Sequence, residues 1–250
     1  MRFSFGQGLS ILTVLSSVSF ASLCQADTLL GVYIGSDYWK TSTSGSLSSL
    51  SSDSSNNFSA NKPATSYIAL EHPIPLLPNI MLRNASLELK GNSVAGINVY
   101  GGSNLTAATA NIDQTDAVMY YELLDNGLVS LDLGVNIRKV DGDYSVFSST
   151  NILVEETRFS GYIPMLYAAG EIGIPATGLS VYGDFNTLSV GDHSLRDYQA
   201  GVAYQFIDNP IIDVSARVGF RKLSIELEDL DGINSDISVD GVTAGLRVHF

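Results

Sequence analysis

Apolar and polar residues alternate in two-residue steps along much of this chain, the period of a sheet with one apolar and one polar face. Val129, Leu131, Leu133, Val135 and Ile137 share one parity, while Ser130, Asp132, Gly134, Asn136 and Arg138 share the other. Tyr198, Ala200, Val202, Tyr204 and Phe206 repeat the pattern, as do Ile212, Val214, Ala216, Val218 and Phe220. The last segment sets Val242, Ala244, Leu246, Val248 and Phe250 against Thr243, Gly245, Arg247 and His249. After Arg221 the phase changes, with Leu223, Ile225 and Leu227 in the other register, which predicts a bulge or emergence from a membrane.

Strands are predicted at about 28–40, 65–72, 80–90, 109–124, 128–140, 155–173, 179–190, 195–207, 211–227 and 235–250. Tight turns are marked by Pro73 to Asn79, Asp125-Asn126-Gly127, Pro175 to Gly178 and Asp208-Asn209-Pro210. Longer connections fall at about 41–62, 91–108, 141–154, 190–195 and 228–235. Four tight turns with both termini on their side predict an all-β, up-and-down antiparallel barrel of about ten strands. Eight is the alternative, because Pro73, Pro75 and Pro78 interrupt a hydrogen-bond ladder.

Composition turns this sheet into a membrane barrel. Apolar residues make up 45% of the chain, yet no run approaches the roughly 20 residues of a spanning helix. A closed sheet is the other way to satisfy every backbone group in lipid. Arg2, the apolar stretch Leu9 to Phe20 and Cys24-Gln25-Ala26 read as an export signal cut after Ala26. Residues 1–26 are then the signal and 27–250 the barrel, and the single cysteine, Cys24, leaves with the signal. A net charge of −13 excludes nucleic acid as a natural partner, since phosphate binding needs a basic patch.

The inner parity collects charges of both signs. Asp132, Arg138, Asp184, Asp213, Arg217, Arg221 and Arg247 form the candidate lumen network, with Asp37, Glu88, Lys90 and Glu122 assigned beside them. Side chains about fill a barrel this narrow, so the charges are expected to pair with one another. The alternative is a narrow, cation-tolerant channel lined by carboxylates. Tyr38, Trp39, Tyr67, Tyr120, Tyr121, Tyr204, Phe206, Phe220 and Phe250 lie near strand ends and are expected to form interfacial girdles, with some tyrosines filling the lumen.

The export signal, the alternating strands and the terminal Phe250 together resemble the small outer-membrane β-barrel proteins of Gram-negative bacteria. The resemblance implies an outer-membrane location, contact with lipid and lipopolysaccharide, and reading of Val242 to Phe250 by the barrel assembly machinery, with Leu246, Val248 and Phe250 as the signal positions. A monomer without cofactor is expected, with the serine-rich loop Thr41 to Lys62 and the acidic loop Glu228 to Ser235 as the surfaces for an extracellular ligand.

That class also has enzymatic members, whose chemistry would need particular residues here. For an omptin-like protease the nearest match is Asp192-His193, facing Asp141 and Asp143 or Asp229 and Asp231. For a lipid deacylase it is His193-Ser194. Adjacent strand residues point to opposite faces, so neither pair predicts a catalytic site, and a non-enzymatic role is expected. His72, His193 and His249 are too scattered for a metal site or triad. Glu228, Asp229, Asp231 and Asp236 lack the fixed spacing of an EF-hand loop.

Overall fold

The computed structural model describes residues 30–49, 58–61, 64–92, 105–148, 153–191, 193–230 and 233–250. The expected signal, and with it Cys24, lies outside the described residues. Eleven strands form one antiparallel sheet: β1 (Gly31–Ser49), β2 (Phe58–Asn61), β3 (Ala64–Glu71), β4 (Asn79–Asn92), β5 (Leu105–Asp125), β6 (Val129–Ser148), β7 (Leu153–Ile174), β8 (Leu179–Val190), β9 (His193–Asn209), β10 (Ile212–Leu230) and β11 (Ile233–His249). β2 and β3 both pair with β4, β2 against Glu88 to Gly91 and β3 against Ile80 to Ala85, so they occupy one place in the wall. The wall therefore has ten strand positions. It closes where β1 pairs with both β3 and β11, and from β3 to β11 consecutive strands pair with one another. Phe250 completes the seam, exchanging backbone hydrogen bonds of 3.0 and 3.2 Å with Val32.

The ten-strand expectation holds and the eight-strand alternative falls. The prolines that argued against a ladder sit in the turn between β3 and β4, where no ladder bond is lost. At the Asp125-Asn126-Gly127 turn, Gly127 takes φ 74°. The Asn126 side chain there accepts the N–H groups of Leu128 and Val129, at 3.0 and 2.9 Å. Most strands run further than expected at the opposite end. β1 continues through the serine- and threonine-rich Thr41 to Ser49, predicted as loop, paired with Ile233 to Gly241. The residues lack a hydrophobic face, but pairing needs only their backbone, and β11 supplies the partner.

Strands such as β7, at 22 residues, are about twice as long as a membrane crossing needs. Their two ends differ in chemistry. Near the tight turns the outer surface is apolar: Ile80, Leu82, Met119, Leu131, Leu133, Val135, Ile137, Leu166, Val181, Val202, Val218, Val242 and Leu246 are all exposed. Further along the same strands the outer positions become polar, as in Asn84, Ser86, Thr115 and Asp113, while the inner positions become apolar, as in Leu87, Leu89, Leu195, Leu223 and Val239.

This inversion explains the phase change after Arg221. β10 stays in uninterrupted register with β9 and β11 from Ser215 to Glu226, and its only shift against β11 lies between Leu227 and Leu230. Leu223 therefore points inward, as Arg221 does, and there is no bulge at this point. Of the two readings offered by the sequence, the bulge falls, and the strand keeps its register while its faces exchange polarity.

Gly201 and Gly219 oppose each other on the inner faces of β9 and β10. A β-carbon on Gly219 would lie 2.6 Å from the Ala200 carbonyl oxygen and 2.7 Å from the Tyr182 hydroxyl, so the glycines leave the space into which the buried Tyr182 reaches. Gly219→Val is expected to destabilise the barrel by about 1–3 kcal/mol through overpacking. The measurement is the urea midpoint of the fast-migrating folded band on cold gels, and an unshifted midpoint would mean that the wall gives way freely here.

Candidate functional site: the barrel interior

The interior is built in layers, because successive inner positions on neighbouring strands fall at matching heights. Furthest from the tight turns lies an apolar plug of Trp39, Leu87, Leu89, Met165, Leu195, Leu223 and Val239, with Ala110, Ile112, Ile163, Leu188 and Ile225 packed against it. Beneath it sits a buried ionic cluster. Arg138 on β6 is 1% exposed and grips Asp116 on β5 through two hydrogen bonds, 2.7 Å from Nε and 2.9 Å from Nη2. The same Nη2 donates to Asp197 on β9 at 2.7 Å. Arg221 on β10 holds Asp197 from the other side through Nε at 2.9 Å and Nη2 at 2.8 Å, and donates from Nη1 to Thr65 at 2.8 Å.

Two guanidiniums and two carboxylates make this cluster formally neutral. Planar forks matched to carboxylates supply the aligned, charge-assisted bonds that a desolvated ion needs. The Arg221 guanidinium also lies 4.8 Å from the Trp39 ring centre, joining the cluster to the plug above it.

Nearer the turns the interior opens into a cavity of about 480 Å³, lined among others by Tyr33, Tyr67, Tyr167, Arg217, Arg247 and Asp132. Each of its arginines has an acidic partner. Arg83 meets Asp184 at 3.1 Å and Arg247 meets Glu171 at 2.5 and 3.0 Å. Arg217 lies 3.8 Å from Asp37 and stacks 3.8 Å from the centre of the Tyr182 ring. At the mouth, Glu71 accepts from the Tyr120 hydroxyl at 2.7 Å and Glu122 from the Asn79 amide at 2.7 Å. His249 stacks on Tyr33 with ring centres 4.1 Å apart, its Nδ1 3.4 Å from Asp213.

The structure thus brings Arg138 and Arg221 together through Asp197, and places Asp184, Arg217 and Arg247 in separate pairs lower down. Asp132 and Asp213 line the cavity apart from the central cluster. Glu88 and Lys90 are not in the lumen. They share an outer parity and pair with each other at 2.8 Å, because the inner positions beside them are Leu87 and Leu89. The sequence reading overlooked Asp116, Asp197, Arg83 and Glu171. Parity could have found them: Asp197 precedes the outward Tyr198, and Asp116 shares its parity with Glu122. Among the aromatics, Trp39, Tyr67 and Tyr120 face inward, whereas Tyr38, Tyr121, Tyr204, Phe206, Phe220 and Phe250 are exposed on the outside.

The residues weighed for catalysis are distributed differently. Asp141 and Asp143 lie on the outer wall, Asp141 held by Lys139 at 2.6 Å and Ser160 at 2.7 Å, and Asp143 by Asn111 at 3.0 Å. Ser194 donates to Glu226 at 2.7 Å, while His193 pairs with Val190 at the end of its hairpin. Asp192 and Asp231 lie outside the described residues, as do the side chains of Glu228, Asp229 and Asp236. Leu246, Val248 and Phe250 share the outer face of the closing strand, Leu246 and Phe250 both half exposed.

No family model and no curated protein sequence matches the chain. Among solved structures, the outer-membrane protease OmpT from Escherichia coli is similar with a TM-score of 0.49 at 11% identity, over 94% of this chain and 100% of that one. The transport unit of the autotransporter AIDA-I from Escherichia coli gives 0.42 at 11% identity, over 94% and 92%. A Pseudomonas aeruginosa FadL homologue gives 0.31 at 8%, over 88% and 90%. All three are outer-membrane barrels, and the likeness extends to architecture alone. The fold itself stands on the closed pairing of the strands.

Removing Arg138 would leave Asp116 buried without its cationic partner. Arg138→Ala is expected to cost about 3–5 kcal/mol, the range for breaking one side of a buried ion pair. Substituting Arg138→Met together with Asp116→Leu, which removes that charge pair, should recover part of the loss in the same urea titration. Equal midpoints for the single variant and the parent would mean that the cluster contributes nothing to stability.

Proposed function

We propose that the protein is a monomeric barrel of a Gram-negative outer membrane, closed to solute flow and without chemistry of its own, which acts through the loops at the end remote from the tight turns. The observation that carries this reading is the pair of stacked layers in the interior, the apolar plug of Trp39, Leu89 and Leu223 lying directly on the neutral Arg138–Asp116–Asp197–Arg221 cluster. An ion travelling the axis would have to pass a desolvated apolar layer and break the bonds between paired ions, and both steps are costly. Membrane placement is supported by the apolar outer belt and by the export signal read from the first residues. In that setting lipopolysaccharide surrounds the polar outer wall, and the serine-rich Thr41 to Lys62 and acidic Glu228 to Ser235 segments meet the extracellular ligand.

A second reading, a narrow cation-tolerant channel, draws on the carboxylates of Glu71, Glu122 and Asp132 at the cavity mouth. In the first reading that cavity is a vestibule closed at its far end. The two are separated by recording from the refolded protein in a planar bilayer at several salt concentrations. A silent bilayer containing verified folded protein is expected, and discrete cation-preferring steps would overturn the closed-barrel reading. Deleting residues 50–57, between β1 and β2, or residues 231–232, between β10 and β11, should abolish binding to the extracellular ligand while the heat-modifiable folded band persists. Binding that survives both deletions would move the interaction elsewhere.

A further inference from the structure

The turn between β3 and β4, His72-Pro-Ile-Pro-Leu-Leu-Pro78, contains no acid, lysine or arginine and exposes three aliphatic side chains. Leu76 is 93% exposed, Ile74 58% and Leu77 52%. Leu76 also holds a positive φ of 69°, a conformation that bulky residues avoid and that persists only where the surroundings impose it.

The surroundings here are unusually explicit. The His72 ring donates from Nε2 to the Pro78 carbonyl at 3.2 Å and accepts at Nδ1 from the Ile74 N–H at 3.3 Å, while the His72 N–H donates to the Asn79 side chain at 3.0 Å. Three prolines fix the backbone between these ties. The Tyr121 hydroxyl donates to the Leu76 carbonyl at 2.9 Å. Tyr121 belongs to the outer face of β5, in parity with Met119 of the apolar belt. Its bond therefore leans the turn outward over the wall and away from the cavity mouth.

A rigid loop that displays three aliphatic side chains, and is tied to the belt through an interfacial tyrosine, fits a lipid surface. We propose that the turn is an interfacial anchor whose Ile74, Leu76 and Leu77 enter the phospholipid leaflet next to the tight turns, continuing the apolar belt beyond the end of the strands. Tyrosine at the headgroup level with aliphatic groups beside it is the arrangement that such an interface favours. A soluble partner protein is the competing occupant. The Tyr121 tie favours lipid, because it holds the turn against the face that the belt already commits to the membrane.

The inference rests on the membrane placement proposed above, and the test separates the two. The full chain carrying Leu76→Trp is refolded into phosphatidylethanolamine–phosphatidylglycerol vesicles with bromine near the top of the acyl chains. Leu133→Trp in the belt serves as the control, and the buried native Trp39 is subtracted using the parent protein. Emission from the indole introduced at position 76 is expected to fall by about half with brominated lipid and to resist acrylamide, as for an interfacial side chain. Quenching of the belt control without quenching of position 76, together with acrylamide access there, would overturn the anchor alone. Loss of quenching at both sites in folded protein would overturn the membrane reading itself. Leu77→Trp provides the same readout if the Leu76→Trp variant does not fold, with the same outcomes deciding.

Discussion

Everything in this molecule depends on the unbroken ring of backbone pairing. Ten strand positions, closed by β1 on both β3 and β11, leave no edge in the part of the wall next to the tight turns, so each N–H and C=O there can find a partner without water. Only then can one wall expose Ile80, Leu133 and Val202 on its outside while presenting Arg138 and Asp197 to its interior. The ring also fixes the registers that bring Asp116, Arg138, Asp197 and Arg221 to one height, although they come from four strands spread along the sequence. A slip by one residue in any of those strands would put a charge on the outer wall and an aliphatic group inside.

The interior illustrates how buried charge is made tolerable. None of the four central ions stands alone: each carboxylate is gripped by at least one guanidinium fork, and Asp197 is shared by two. Aromatic rings complete the arrangement, Trp39 of the plug against Arg221 and Tyr182 against Arg217. Such clusters are weak sources of net stability, but they oppose mispairing, since a one-residue slip takes Arg138 away from Asp116 and turns its side chain to the other face. Specificity of strand alignment is the role they fit best here.

Much of the fold was legible because alternation is a local signal. The Val129–Ile137, Tyr198–Phe206, Ile212–Phe220 and Val242–Phe250 runs each announce their faces, and the four tight turns announce their positions. Thr41 to Ser49 was not legible as strand, because its side chains report polarity while its pairing is made by the backbone with β11. Glu88 and Lys90 were misplaced for a related reason: parity was assumed to keep the same meaning from end to end, whereas the neighbouring Leu87 and Leu89 show that inside and outside exchange chemistry. The pairings within the lumen were hidden more deeply. Parity can say that Arg138 and Asp197 both point inward, but which inward residues meet across the axis is decided by the stagger of the closed sheet.

That exchange of chemistry along single strands works as a waterline painted on the wall. On β4 it falls between Leu82 and Asn84, on β5 between Ala117 and Thr115, on β6 between Ile137 and Lys139, and on β10 between Phe220 and Lys222. The marks on successive strands trace a contour around the barrel, and in the proposed membrane setting the depth of the protein would follow from that contour. With the apolar band against lipid, as proposed above, strand length beyond the contour would set only how high the wall stands, and lengthening or trimming that rim would leave the band where it is.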